Sequence, residues 1–273
     1  MRQTIYFNKI YIIESLKEND KKTGSVLYND LIRHRVNQMD GFSAELICVD
    51  TKPSFMAALK GIFKDTDPNE SRPYLHFEIH GSKDGFELTN GESVSWEELY
   101  LSFSEINGLL RNQLFISLAT CFGGYLFEII DPSRRAPFFG FVGNTSTISS
   151  WEIEIGYYEY FDTLLQTLDL DKAIESLNLA NSHSKVPYVP LVSGEIFHHV
   201  ATKLKAQMKN RKLILSKRKQ LEKQAKKNSK IKLQYSKSGL KDAIKKIVWN
   251  YPRQMEVLEQ YFLFQRDTVV DVL

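Results

Sequence analysis

Cysteine is scarce in this chain: Cys48 and Cys121 are the only two among 273 residues. Two cysteines at this length make no disulfide framework and fit a reducing compartment, so a cytoplasmic location is expected. Long apolar runs are missing as well. None approaches the roughly 18 residues that a membrane-spanning helix needs. The opening stretch "MRQTIYFNKIYIIESL" holds no long apolar core and no small-residue cleavage site, and no secretory signal is expected. No segment repeats at the period of solenoids or propellers. Histidine is sparse too. The pair His198-His199 falls in a helical stretch, where adjacent residues do not converge, so neither a metal nor another cofactor is expected.

What is present is an uneven charge. Residues 1–202 carry 17 Lys/Arg against 27 Asp/Glu, a net of −10. Residues 203–246 carry 17 against 2, a net of +15. An acidic body and a strongly basic late segment call for different partners, or partner each other. Aromatic residues are thin in the basic segment, which argues against base stacking. An acidic protein partner or a membrane surface, a nucleic acid bound through its phosphates, or a solvated helix face remain open for it.

Along the chain, "KIYIIESL" reads as a strand rich in β-branched and aromatic residues, and "GSVLYNDLIRHRVNQM" follows with helical spacing. "SAELICV", "KPSFMAALKGIFKD" and "YLHFEIHG" continue as strand, helix and strand. That alternation predicts a mostly parallel sheet with helices on both faces. Asn90-Gly91 predicts a two-residue hairpin turn with positive φ at both positions. "SWEELYLSFSEINGLL" resumes as helix, "QLFISLAT" and "PFFGFVGN" as core strands, and "SSWEIEIGYYEYFDTLLQTL" and "DLDKAIESLNLAN" as helices, the first with an extended start. "NSHSKVPYVPLVSG" reads as a linker, which places a boundary at 182/183. The remainder is helical and basic, including "KDAIKKIVW" and "RQMEVLEQYFLFQ". Cys48 has no reactive company and is expected in the core, as is His76.

Two strands end on reactive residues. "YLHFEIHG" ends on His80-Gly81, and "LFISLATCFGG" reaches Cys121 with Gly123 and Gly124 beyond. In a parallel open sheet both tips lie at the carboxyl edge, where such folds place their sites. A free thiol is mostly protonated at neutral pH, and a neighbouring imidazole can take its proton. Attack on a carbonyl then creates an oxyanion that needs pre-aimed donors. The backbone at Gly81, Cys121 and Gly123 supplies candidate donors. Gly123 with Gly124 permits a sharp exit from the strand.

These residues resemble the caspase-like cysteine peptidases, the group of caspases, metacaspases and CHAT or separase-like proteases. The shared pattern is an apolar strand ending His-Gly, then, forty or more residues on, an apolar strand ending in a small residue and Cys followed by Gly. Here "FEIHG" and "LATCFGG" carry it over roughly residues 5–180, with a hairpin between them, closest to the CHAT-like pattern. "ATCFGG" departs from the caspase "QACRG". The resemblance implies a three-layer sandwich over 1–182, followed by a helical, basic region over 183–273. It implies a cysteine endopeptidase with a His80–Cys121 dyad: His80 as general base and acid, Cys121 as nucleophile.

It also implies a protein substrate cleaved after a defined residue. Asp131, Glu152 and Glu154 are candidates to select a basic one, Arg134 and Arg135 an acidic one. "VGNTSTISSWE" is the expected pocket wall. Members are often regulated bacterial effectors in conflict, antiviral defence or death systems. With no sensor region visible, an activating partner or neighbouring subunit is implied. Two other readings stay open: an inert interaction module of the same fold, and a nucleic-acid-binding protein acting through its basic helices.

Overall fold

The computed structural model describes residues 5–184, 186–208 and 251–265, with 219 and 223. The chain divides into two compact units: Met1–Asp131 with Arg135–Ser193, and Pro132–Arg134 with Gly194–Leu273.

The first unit is α/β. Its parallel strands are β1 (Lys9–Ser15), β2 (Ser43–Cys48), β3 (Pro73–Gly81), β6 (Phe115–Ala119) and β7 (Gly140–Gly143). They lie in the order β2-β1-β3-β6-β7, and β8 (Val189–Val192) closes the β7 edge antiparallel. Two short strands, β4 (Gly85–Glu87) and β5 (Ser93–Ser95), extend antiparallel from the end of β3. The mixed sheet thus has eight strands, mostly parallel.

Side chains along each strand alternate between two apolar layers. Tyr11, Ile13, Leu75, Phe77, Ile116 and Leu118 face one core. That core takes Phe55, Leu59 and Ile62 of α3 (Lys52–Asp65) and Leu99, Phe103 and Ile106 of α4 (Trp96–Leu109). Ile10, Ile12, Tyr74 and Phe115 face the other. It is covered by α1 (Thr23–Leu27), a π-helical turn (Tyr28–Ile32), α2 (Arg33–Val36), α5 (Ser150–Thr167) and α6 (Leu170–Ala180).

The helices begin where local chemistry starts them. Thr51, Ser95 and Ser149 cap α3, α4 and α5, each in reciprocal bonds with the residue three places on. Asn107 of α4 is fully buried: its side chain accepts from Leu114 N–H at 3.0 Å and donates to Ala136 O at 2.9 Å. That clasp sets where β6 begins.

Four expectations change. The 88–92 loop does join β4 and β5, but only Gly91 has positive φ, so the turn is longer than two residues. The bond from Gly91 N–H to Leu88 O closes it. The expected linker contains β8, so the sheet, and with it the first unit, continues to Ser193. Pro190 is tolerated there because β8 is an edge strand. The start of α5 is helical from Ser150, since the Ser149–Glu152 box nucleates it. Cys48 is exposed rather than core: it is the last residue of β2, the opposite edge strand, on a face where Ala44 and Leu46 are themselves only partly buried.

In the second unit, α7 (Ser193–Met208) and α8 (Tyr251–Phe262) carry Phe197 and Phe262, whose rings lie 5.3 Å apart. His198 Nε2 lies 3.3 Å from Glu259. "KDAIKKIVW" and nearly all of the basic segment beyond Met208 lie outside the described residues. Among those described, no helix is long and apolar enough to cross a membrane.

One cap generates a pH prediction. Glu98 is held at about 2, below its ordinary 4.5, by the Lys52 ammonium and then by the Ser95 amide and hydroxyl. A depressed carboxyl stabilises the fold fully above its unfolded value and loses that contribution as pH falls through the folded one. Glu98→Gln is therefore expected to cost about 0.5 kcal/mol near pH 6. In urea titrations the gap to wild type should narrow from pH 4.5 downward and close near pH 2.

Candidate functional site

β3 and β6 are direct parallel neighbours, pairing His76 with Ser117 and Glu78 with Ala119. The register offset is 41 residues, which is also the separation of His80 and Cys121. Two residues past the last pair, the histidine and the cysteine therefore fall at matching positions. Cys121 lies in the turn just beyond the end of β6, and it and His80 line the same cleft as Glu78 and Ala119. Both tips open at the carboxyl edge, where the strand order turns from β1 back to β3.

His80 and Cys121 line one cleft of roughly 360 Å³. Its walls come from four segments. The loop after β1 gives Leu16, Asp20, Lys21 and Thr23; β3 gives Glu78 and His80; β6 leads into Ala119, Thr120 and Cys121; and the approach to α5 gives Ile148, Ser150 and Ile153. The segment expected as the pocket wall thus does reach the cleft.

His80 is half exposed, and its Nε2 lies 2.7 Å from Asp20 Oδ2. The histidine contact, with the Lys17 amide, draws the Asp20 carboxyl below its ordinary value. With Nε2 on Asp20, Nδ1 is left for another partner. Cys121 is partly buried. Its Sγ accepts the Ile148 N–H at 3.4 Å, and the thiol lies 3.6 Å from Ile148 O. No hydrogen bond joins Sγ to the His80 ring. The Cys121 amide has no acceptor among the described residues, as an oxyanion donor requires.

The turn beyond the thiol differs from the expected one. The left-handed residue is Phe122, at φ 58°, not a glycine. Its N–H donates to Ser146 O at 3.0 Å, and Gly123 N–H donates to Thr120 O at 3.3 Å. Gly123 is therefore an internal turn member rather than a donor facing the cleft. Gly123 and Gly124 are needed for close packing. A β-carbon would lie 2.8 Å from Leu118 in the first case and 2.5 Å from Thr145 in the second. At Gly81 it would lie 2.3 Å from Cys121 O, so the two tips press backbone to backbone.

Below the cleft lies a buried polar network. Ser117 Oγ is 2.7 Å from His76 Nδ1, and His76 Nε2 is 3.0 Å from Glu78 Oε1. The Thr23 hydroxyl donates to Glu78 Oε2 at 2.7 Å. His76, fully buried, sits 4.8 Å from the Tyr157 ring and 4.9 Å from that of Phe161. Asp20 and Glu78 are the site residues that sequence reasoning did not name. Asp20 lies in an ordinary polar loop and leaves no signal. Glu78 could have been found, because "HFEIH" places three polar side chains at period two on one strand face.

The acidic candidates for a pocket fare differently. Glu152 is consumed by the Ser149 cap, and Asp131 does not line the cleft. Glu154 pairs with Lys21 at the rim. Among the described residues no three His, Cys, Asp or Glu side chains gather as a metal site would require. Comparison with protein-family models and with curated proteins finds no match for this chain.

Proposed function

We propose that the chain is a cysteine peptidase in which Cys121 is the nucleophile and His80 the acid–base. The supporting observation is the register: one ladder delivers an imidazole and a thiol to matching positions at the open end of the sheet, inside one cleft. The finer assignment to a caspase-like, CHAT-like sandwich belongs to the same proposal, as does a role as a regulated effector protease of the cytoplasm.

The chemistry follows from the contacts. Asp20 fixes the ring by Nε2 and would stabilise the imidazolium. Nδ1 takes the thiol proton as the sulfur attacks the scissile carbonyl. The developing oxyanion meets the Cys121 N–H. His80 returns the proton to the leaving amine, and a water molecule, deprotonated in turn by His80, releases the acyl group. The imidazole is held by Asp20 and the sulfur by Ile148. A shift that frees the sulfur toward the ring would serve as activation by a partner.

The Ile148 contact also favours a second reading, an inert interaction module of the same fold. Alkylation separates the two. For a module, Cys121 should react with iodoacetamide no faster than the exposed Cys48, and no peptide should be cut. The segment 203–246 is proposed, on charge alone, to bind an acidic partner or nucleic acid.

In a fluorogenic peptide panel with Arg, Lys, Asp or Leu at P1, Cys121→Ala is expected to abolish hydrolysis while far-UV circular dichroism is unchanged. Retained cleavage would refute the nucleophile assignment. His80→Ala should lower kcat/KM by about 10³-fold. Asp20→Asn should lower kcat by roughly tenfold with KM held, and Asp20→Glu should recover part of the loss. A change in KM alone would remove Asp20 from the mechanism.

A further inference from the structure

Asp20 and His80 meet near the surface, their side chains 31% and 46% exposed. A pair so placed contributes little by itself, so its geometry depends on the backbone that carries each partner. His80 is carried by the end of β3. Asp20 lies in a loop, residues 16–22, that has no strand or helix of its own. Both ends of this loop are fastened to the sheet. At its start, the Ser15 hydroxyl lies 2.9 Å from that of Thr89 and accepts the Thr89 N–H at 3.0 Å.

At its finish, Thr23-Gly24-Ser25 opens α1 against two buried carboxylates. Glu14 and Glu78 are ladder partners on β1 and β3, 4% and 1% exposed. The Thr23 hydroxyl donates to Glu78 Oε2 at 2.7 Å. The Ser25 hydroxyl donates to Glu14 Oε1 at 2.7 Å, and the Ser25 N–H to Oε2 at 2.9 Å. Gly24 passes between the two acids, where a β-carbon would lie 3.0 Å from Glu14 Oε2. Glu78 cannot swing freely, because His76 Nε2 holds its other oxygen at 3.0 Å and Ser117 holds His76. Hydrogen bonds to carboxylates are strong, and buried ones are costly to break. From this seat the reach to Asp20 is short. Thr23 N–H donates to Lys21 O and Asp20 N–H to Lys17 O. Lys17 N–H donates at 2.8 Å to Asp20 Oδ2, the oxygen that meets His80.

We infer that Thr23 and Ser25, seated on Glu78 and Glu14, are positioning residues that hold Asp20 against the His80 ring. The inference rests on the peptidase reading for its kinetic consequence alone. The two acids bond neither the ring nor the sulfur, yet they fix the loop whose carboxylate orients the ring. Removing the Thr23 hydroxyl leaves a buried Glu78 oxygen without its donor and frees the first turn of α1, and Asp20 with it.

The Asp20 carboxyl reports on this clamp, because the His80 contact is the main cause of its lowered ionisation. Its titration is followed by carboxyl-carbon NMR in the full chain. Thr23→Val keeps the side chain's shape and removes the hydroxyl. The Asp20 midpoint is then expected to rise toward the ordinary aspartate range, as it should in His80→Ala, with far-UV circular dichroism unchanged. Thr23→Ser restores the hydroxyl and should bring the midpoint back down. Ser25→Ala, at a half-buried position, should raise it in the same sense. A midpoint that does not rise in Thr23→Val, or in Ser25→Ala where Thr23→Val does not fold, overturns the inference. In the peptide panel Thr23→Val should lower kcat roughly tenfold with KM held, and combining it with Asp20→Asn should cost nothing beyond Asp20→Asn alone. Additive losses, or a rise in KM alone, overturn the inference as well. A midpoint that rises in a chain that cuts no peptide overturns the peptidase reading and leaves the clamp standing.

Discussion

The parallel ladder between β3 and β6 is the constraint on which the site depends. A shift of one residue in that pairing would send His80 and Cys121 to opposite faces, since side chains alternate along a strand. The register is held by groups far from the tips. Tyr74 and Phe115 are partners at one end of the ladder and pack with centroids 5.7 Å apart. Asn107 clasps the chain just before β6. Further along, Ser117 meets His76 across the strand boundary. Apolar packing, a side-chain clasp and a polar bond thus agree on one alignment, and the tips inherit it.

The buried network has a second effect. His76, Glu78 and Ser117 occupy positions where the same strand faces elsewhere bury hydrocarbon. A polar group at such depth is tolerated only when its bonds are satisfied. Thr23, at the start of α1, completes the set and so ties the first helix to the central strand. Gly24 is small because a β-carbon there would lie 2.8 Å from Glu78 Cγ. The loop after β1, which supplies Asp20, is therefore anchored at its far end by the same carboxylate that lies in the cleft wall.

Much of the fold was legible in the sequence because its elements carry strong local signals. β1, α3 and β3 follow from β-branched runs, a Thr-Lys-Pro start and a long apolar strand. The His-Gly and Cys tips were legible for the same reason, since strand ends can be read from where apolar alternation stops. What local pattern does not encode was missed. β8 hides in a stretch with two prolines, and its place at the sheet edge forgives Pro190, the one that falls within it. The left-handed turn at Phe122 is imposed by packing against 144–146 rather than by residue type. Asp20 meets His80 across 60 residues, and nothing in the "ENDKK" loop distinguishes it from its neighbours.

That loop ends the matter in an unexpected place. Asp20 and Lys21 are adjacent, yet one grips the histidine and the other reaches Glu154 on α5, 133 residues away. Two distant parts of the molecule are thus indexed to consecutive links of one short connection. Inserting or deleting a residue between Leu16 and Thr23 would misalign both grips together. A polar surface loop, ordinarily the most forgiving part of a chain in length, is here the least free to grow or shrink.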